Sequence, residues 1–357
     1  MYENLHISNF RGIHELKIDG LSRINLFVGS NNSGKTSVLE AMFLLSGAGN
    51  PRLPTSINSF RSLKFVSDNV WRSFFNRMNI TSPIVMEGLK DGAANRLSIS
   101  PITDASDLGE VDSHSPKDSD SSSQAGSKSS SESSVLGLDL VYEETDLQGT
   151  RHTRSQVFQE KRDVRTRVLE GKLEPKRALF TNDLTITYSE IALRLERMLV
   201  DKKDKLLVDV ARKLDGSVSG FVLGANGTIF VDIGLSKMLP VQLLGNGMVK
   251  LLVVNLNAYE ARNGILLIDE IDNGLHHSSL DLLWKSLIRS AINYDVQVAA
   301  TTHSYECIKA LVDSTEGESM EDMIRVFRTE TTDDKVKVTV FDRDALTRFM
   351  EREWEVR

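Results

Sequence analysis

The hydrophobic pattern of the chain changes period twice within its first fifty residues. Positions 3–8 and 14–18 alternate apolar and polar side chains, which predicts two short half-buried strands. Residues 23–28 form an apolar run that stops at Gly29, as a buried strand does. From Thr36 the apolar residues Val38, Leu39, Met42, Phe43 and Leu45 recur at helical spacing, and Gly47 and Gly49 mark the end of the helix. Residues 51–100 mix helical and loop signals without a motif.

Farther along, 12 of the 23 positions in 112–134 are serine, interspersed with Asp, Lys and Gly. Such a segment buries too little apolar surface to offset its ordering entropy, so a disordered loop is expected. A strand is predicted at Gly137–Tyr142. Residues 151–177 then hold nine Lys or Arg against four acids. A solvated helix is the favoured reading of that stretch, with a face for DNA or RNA as its competitor, because no aromatic residues interleave the charges for base stacking. Residues 185–213 read as helix, with Ile191, Leu195, Met198 and Leu199 on one side. Strands at Phe221–Leu223 and Thr228–Ile233 flank the turn Ala225-Asn226-Gly227.

The 357 residues suffice for a large core, and 40% apolar with 26% charged residues is an ordinary globular balance. The net charge of −7 argues against coating nucleic acid by bulk charge. One cysteine, Cys307, permits no intrachain disulfide. No signal peptide is visible, and the longest apolar runs fall far short of the roughly 20 residues a bilayer needs. Secreted, collagenous and membrane-spanning readings are set aside, and a cytoplasmic location is expected.

Candidate chemistry sits at three strand ends. Gly29-Ser30-Asn31-Asn32-Ser33-Gly34-Lys35-Thr36, followed by Ser37, matches G-x-x-x-x-G-K-[ST] between a strand and a helix. The glycines let backbone N–H groups curl around phosphate oxygens, Lys35 reaches the terminal phosphates, and the Thr36 hydroxyl is placed to ligate Mg²⁺. The apolar strand Ile265–Ile268 delivers Asp269 to the Mg²⁺ shell and Glu270 to the attacking water. His303, at the end of the apolar run Val298–Thr302, can hydrogen-bond the γ-phosphate. Gly245-Asn246-Gly247 opens another helix and offers a second anion-binding surface. A chain with one phosphate loop has no need of it in its own subunit.

This order of phosphate loop, glycine signature, Asp-Glu strand and His strand resembles the ABC-type ATPase superfamily, in the branch holding SMC, RecF and OLD-like proteins. Asn9-Phe10-Arg11-Gly12, Ile268-Asp269-Glu270-Ile271-Asp272-Asn273-Gly274-Leu275-His276 and Thr302-His303-Ser304 resemble the small OLD-like AAA ATPases of antiphage defence systems, of which the PARIS ATPase is one. The resemblance implies an α/β fold with a mixed, mainly parallel sheet core at 1–50 and 215–357. Residues 51–214 become a variable arm or lid, helical and partly disordered. It implies a homodimer or higher oligomer closing around two ATP·Mg²⁺, with slow hydrolysis, Asn273 in a D-loop at the interface, and Arg11 near the base or phosphates. It also implies a sensor or scaffold that controls a separately encoded nuclease or toxin. A RecF- or SMC-like DNA clamp is the alternative.

The signature Leu244-Gly245-Asn246-Gly247-Met248 departs from the family by lacking the usual serine and glutamine, and Gln148, Gln156 and Gln159 do not make a convincing Q-loop. Only 54 residues follow His303, too few for a Toprim nuclease, so Asp342-Arg343-Asp344 reads as a polar turn. His276-His277 reads as a helix start, not a metal site.

Overall fold

The computed structural model describes residues 1–346 except 49, 62, 64–67, 109–133, 161–162, 173–176, 183–186, 316–320, 333–334 and 343–344. The serine-rich segment therefore lies outside the described residues up to 133, as do Arg343 and Asp344.

Strands β1 (Asn4–Phe10) and β2 (Ile13–Asp19) form an antiparallel hairpin, and β3 (Ile24–Val28) runs into the glycine loop that opens helix α1 (Lys35–Ser46). Helices α2 (Leu53–Phe60) and α3 (Asp68–Arg72) follow. Then come five strands: β4 (Ile84–Lys90), β5 (Ala93–Ile102), β6 (Gly137–Asp146), β7 (Gly149–Glu160) and β8 (Asp163–Glu170). They extend the first hairpin into an antiparallel sheet of order β2-β1-β4-β5-β6-β7-β8.

The segment expected to be a helical arm is thus largely β, and the helix expected over the basic stretch is corrected to strands β7 and β8. Position in the sheet decides it: on β7, Thr153 and Ser155 are buried while Arg154 between them is exposed, and from Ser155 to Phe158 both faces of the strand are covered. Three arginines of the basic stretch answer to acids on neighbouring strands. Arg154 lies 3.1 Å from Asp139, Arg151 lies 2.6 Å from Asp146, and Arg165 lies 3.3 Å from Glu160.

Strand β9 (Ala178–Thr181) joins a different sheet. Helices α4 (Tyr188–Val200) and α5 (Lys205–Leu214) pack with the small sheet β10 (Gly220–Leu223), β11 (Ile229–Asp232) and β12 (Leu239–Pro240). Helix α6 (Asn246–Glu260), β13 (Ile265–Ile268), α7 (Leu280–Asn293), β14 (Gln297–Thr301), α8 (Tyr305–Asp313), β15 (Ile324–Thr332) and β16 (Lys335–Phe341) complete the described chain. The second large sheet has the order β16-β15-β3-β14-β13-β9. Only its β15–β16 pair is antiparallel. A mixed, mainly parallel sheet is what the sequence led us to expect.

Helix α1 lies between the two large sheets, touching β1, β4 and β5 on one side and β9, β13 and β14 on the other. All its residues except Thr36 are buried, which is why its apolar positions surround the helix instead of lining one stripe. The parallel sheet alternates accordingly. Phe27, Leu267, Ala299 and Phe327 face α1, and Leu26, Ile268, Val298 and Val326 face the layer of α6, α7 and α8. The loop before α1 is therefore anchored by a helix that has no solvent side along which to slide.

Candidate functional site

Parallel pairing of β3, β14 and β13 brings three chain segments to one edge of the sheet. Register aligns Phe27 with Thr301 and Ala300 with Ile268. Gly29, Thr302 and Asp269 consequently emerge side by side at the strands' C-terminal ends, where open α/β sheets bind ligands.

The loop geometry requires its glycines. Gly29 has φ +139°, and a Cβ there would stand 2.3 Å from the Thr329 carbonyl oxygen on β15. Gly34 has φ +94° and ends the loop as the N-cap of α1. Between them, Ser33 is buried with its hydroxyl 2.7 Å from that of Thr329, while Asn31 and Asn32 are exposed and Asn32 has φ +63°. The Lys35 ammonium lies inside the curl, donating to the Gly29 carbonyl at 2.8 Å and the Ser30 carbonyl at 2.9 Å. Burial pushes its pKa below that of an ordinary lysine, and the charges of Asp269 and Glu270 offset part of the shift.

Thr36, the one residue of α1 not buried, places its hydroxyl 3.1 Å from both carboxylate oxygens of Asp269. The same carboxylate accepts from the Thr301 hydroxyl at 2.6 Å, and that hydroxyl accepts from the Glu270 N–H at 2.8 Å. Thr301 thus fixes both acids. Glu270 sits in left-handed backbone, φ +53°, with its side chain exposed. A conformation that costs a non-glycine residue of order 1 kcal/mol persists here because this hydrogen bond and the sheet over-determine it.

A cleft of about 350 Å³ opens beside these residues, lined by Thr36, Asp269, Glu270, Asn273, Asn182 and Arg61 among others. Two of these were missed from sequence. Asn182 follows β9, which pairs with β13 in parallel so that Thr181 aligns with Ile268, and only that pairing reveals its place. Arg61 follows α2 and grips Glu40 of α1 through two hydrogen bonds of 2.6 and 3.1 Å. Burial works against its charge, but the Glu40 carboxylate, and more distantly Asp269, more than compensate and raise its pKa.

Arg11 lines a neighbouring cleft of about 300 Å³ that also touches Asn32, Gly34, Ser37 and Arg61. Its guanidinium is nevertheless buried and committed: it donates to the Asn58 side chain at 2.6 Å and to the Ser73 carbonyl at 3.1 Å, lies 3.4 Å from Glu40 and covers the Phe74 ring. In this structure Arg11 joins β1 to α1 and α2 and has few donors left for a phosphate. His303 is exposed just beyond β14 and has no hydrogen-bond partner among the described residues. Its neighbour Thr302 donates to Asp272 at 2.6 Å, which holds the segment after Glu270 against the end of β14.

Neither cleft is lined by Gly245, Asn246 or Gly247. Gly245 has φ +90°, and it and Asn246 stand exposed at the start of α6. The structure thus gathers Gly29–Ser37, Asp269, Glu270 and Asn273 and leaves the glycine turn on a separate surface. The glutamines considered for a Q-loop lie elsewhere: Gln148 in the β6–β7 turn, and Gln156 and Gln159 on β7. No group of three or more His, Cys, Asp or Glu side chains that could hold a metal ion occurs among the described residues. Likewise, no described helix is long and apolar enough to cross a membrane.

The profile of the family described as "AAA domain, putative AbiEii toxin, Type IV TA system" matches residues 24–308. An ATP/GTP phosphatase of Helicobacter pylori is 22% identical over 334 residues, covering 87% of each chain. The DNA replication and repair protein RecF of Clostridium kluyveri is 32% identical over 117 residues, a local match covering 32% of each protein. Among solved structures, the SMC head bound to the C-winged helix domain of ScpA superposes with a TM-score of 0.52 at 11% identity, covering 97% of this chain and 99% of that one. That last likeness is one of fold.

Proposed function

The chain belongs to this AAA-domain family, and on that premise we propose that it binds and hydrolyses ATP, with two copies closing head to tail around two nucleotides. The observation that carries the reading is the contact of the Thr36 hydroxyl with the Asp269 carboxylate at the mouth of the glycine loop. Both are hard oxygen donors, so the pair fits Mg²⁺, which would neutralise charge on the β- and γ-phosphate oxygens.

The residues divide the remaining work. Backbone N–H groups of Gly29–Thr36 and the Lys35 ammonium hold the phosphates. Glu270, exposed beside Asp269, orients the attacking water and accepts its proton. His303 hydrogen-bonds the γ-phosphate and reports its presence. Gly245, Asn246 and Gly247 lie away from their own loop, which supports their capping the partner's nucleotide, with Asn273 at the seam. Hydrolysis removes the γ-phosphate and with it what holds the two copies shut.

We assign the cycle to antiviral defence, where the closed and open states hold or release a separately encoded nuclease or toxin. The OLD-like motifs and the family's type IV toxin–antitoxin description support this assignment. A DNA clamp of the RecF kind is less well supported, because Arg151, Arg154 and Arg165 of the basic stretch already face acids. The test pairs two readouts on Lys35→Ala, expressed with its neighbouring genes: ATP turnover of the purified protein and survival of phage-challenged cells. Loss of both is expected. Lost turnover with intact protection refutes the defence role, and intact turnover refutes the site.

A further inference from the structure

A cleft of about 900 Å³ has no part in the site above. It lies at the far ends of α6 and β13, where α6 stops at Glu260 and before β13 starts at Ile265, so the length of α6, about 22 Å, separates it from the glycine turn. Lys202, Lys203, Lys205 and Arg262 line it, with Tyr259 and Tyr294 meeting edge to face behind them, ring centroids 5.2 Å apart.

Three acids also line this cleft, and each is engaged with something other than these four cations. Asp201 accepts from the Tyr259 hydroxyl. Asp209 lies 3.6 Å from Arg212, one turn along α5, and Asp295 lies 3.0 Å from Arg23, just before β3. Lys202, Lys203, Lys205 and Arg262 have no carboxylate partner among the described residues. The contrast with the basic stretch on β7 and β8 is direct: there Arg151, Arg154 and Arg165 meet acids, and here, in a chain of net charge −7, the cations do not.

Helix ends do not account for the excess. Helices α4, α6 and α7 all terminate at this cleft, and each C-terminus carries about half a negative charge; with the Asp201 carboxylate, whose charge the neutral Tyr259 hydroxyl does not remove, they offset part but not all of the four cations. The fourth helix, α5, brings its N-terminus to the cleft, where the charge of the N-cap Asp204 cancels its partial positive charge. The first turn of α5 lines the cleft, contains no acidic residue, and its N-cap Asp204 makes no side-chain cap hydrogen bond. Uncapped N–H donors beside three lysines favour a phosphate oxygen. The volume lies in the range of clefts that enclose small ligands, roughly 300–1,000 Å³.

We propose that this cleft is a second anion site, taking a compact polyphosphate of nucleotide size between Lys202, Lys203, Lys205 and Arg262. The test is lysine-reactive footprinting of the full chain, read by mass spectrometry. It is run with inorganic tripolyphosphate, with citrate at matched ionic strength, and with neither. Lys35→Ala is included to weaken anion binding at the phosphate loop. At a tripolyphosphate concentration tenfold above Kd, labelling of Lys203 and Lys205 should fall about tenfold in both proteins. Exposed Lys309 and Lys337 should keep their reactivity. Calorimetric binding of tripolyphosphate to Lys35→Ala should disappear in Lys203→Ala/Lys205→Ala and return in Lys203→Arg/Lys205→Arg. Unchanged labelling, equal protection of Lys309, equal protection by citrate, or undiminished binding by the double alanine variant would each overturn the proposal. None of these readouts depends on ATP hydrolysis.

Discussion

Thr301→Val is the substitution that most directly probes how the two acids are held. Threonine and valine have nearly the same shape, and Thr301 is fully buried, so the change removes a hydroxyl without opening a cavity. That hydroxyl donates to Asp269 at 2.6 Å and accepts from the Glu270 N–H at 2.8 Å. A lost hydrogen bond to a carboxylate is worth about 1.5–3 kcal/mol, and an orphaned N–H adds about 1 kcal/mol or more. A total near 3 kcal/mol would lower Tm by about 4 °C in a chain of this size. The catalytic effect is the more informative. Glu270 loses what fixes its left-handed backbone, and Asp269 becomes free to turn away from Thr36. Turnover should fall about 10- to 100-fold, equivalent to about 1.4–2.7 kcal/mol of misplaced geometry, while ATP binding without Mg²⁺ changes little. Thr301→Ser keeps the hydroxyl and should restore most of the rate. Wild-type turnover in Thr301→Val would refute the positioning role. Loss of rate that Thr301→Ser fails to restore would show that the methyl group, not the hydroxyl, matters.

Three further outcomes follow from the geometry. Gly29→Ala would put a Cβ 2.3 Å from the Thr329 carbonyl oxygen, so it should displace the loop from β15 and abolish nucleotide binding, measured by calorimetry, more completely than it lowers Tm. Glu40→Gln removes the carboxylate between Arg11 and Arg61, and leaving two guanidinium groups uncompensated should cost about 3–5 kcal/mol in denaturant unfolding. Because burial depresses the Lys35 pKa, the free protein loses that ammonium at a lower pH than an ordinary lysine would. ATP affinity, which needs the charge, should therefore start to fall before the ordinary lysine value of 10.5 is approached, and a flat profile up to that pH would contradict the assigned environment.

What the sequence made legible was local. The glycine loop, its helix and the Asp269-Glu270 strand end are each written within eight residues or so, and their residue types follow from the local chemistry. The antiparallel sheet was not legible, since β7 buries Thr153 and Ser155 on one face and Gln156 on the other, and all three look polar in the sequence. The basic stretch invited a reading from net charge, whereas the acids that face three of its arginines lie on neighbouring strands. Asn182 could not be found because its relevance depends on β9 pairing with β13, 87 residues away in the chain. Arg11 was placed near the nucleotide by motif. The burial that commits its donors depends on Asn58 and Ser73, which follow no pattern in the sequence relative to it.

The central claim is that one chain supplies the phosphate loop and another the glycine turn. Light scattering of Glu270→Gln with and without ATP·Mg²⁺ tests it most directly, since removing the base should trap the nucleotide-closed state. The mass should double on adding ATP, and that doubling should be lost when Gly247→Trp is combined with Glu270→Gln. A monomer under both conditions would contradict the composite site.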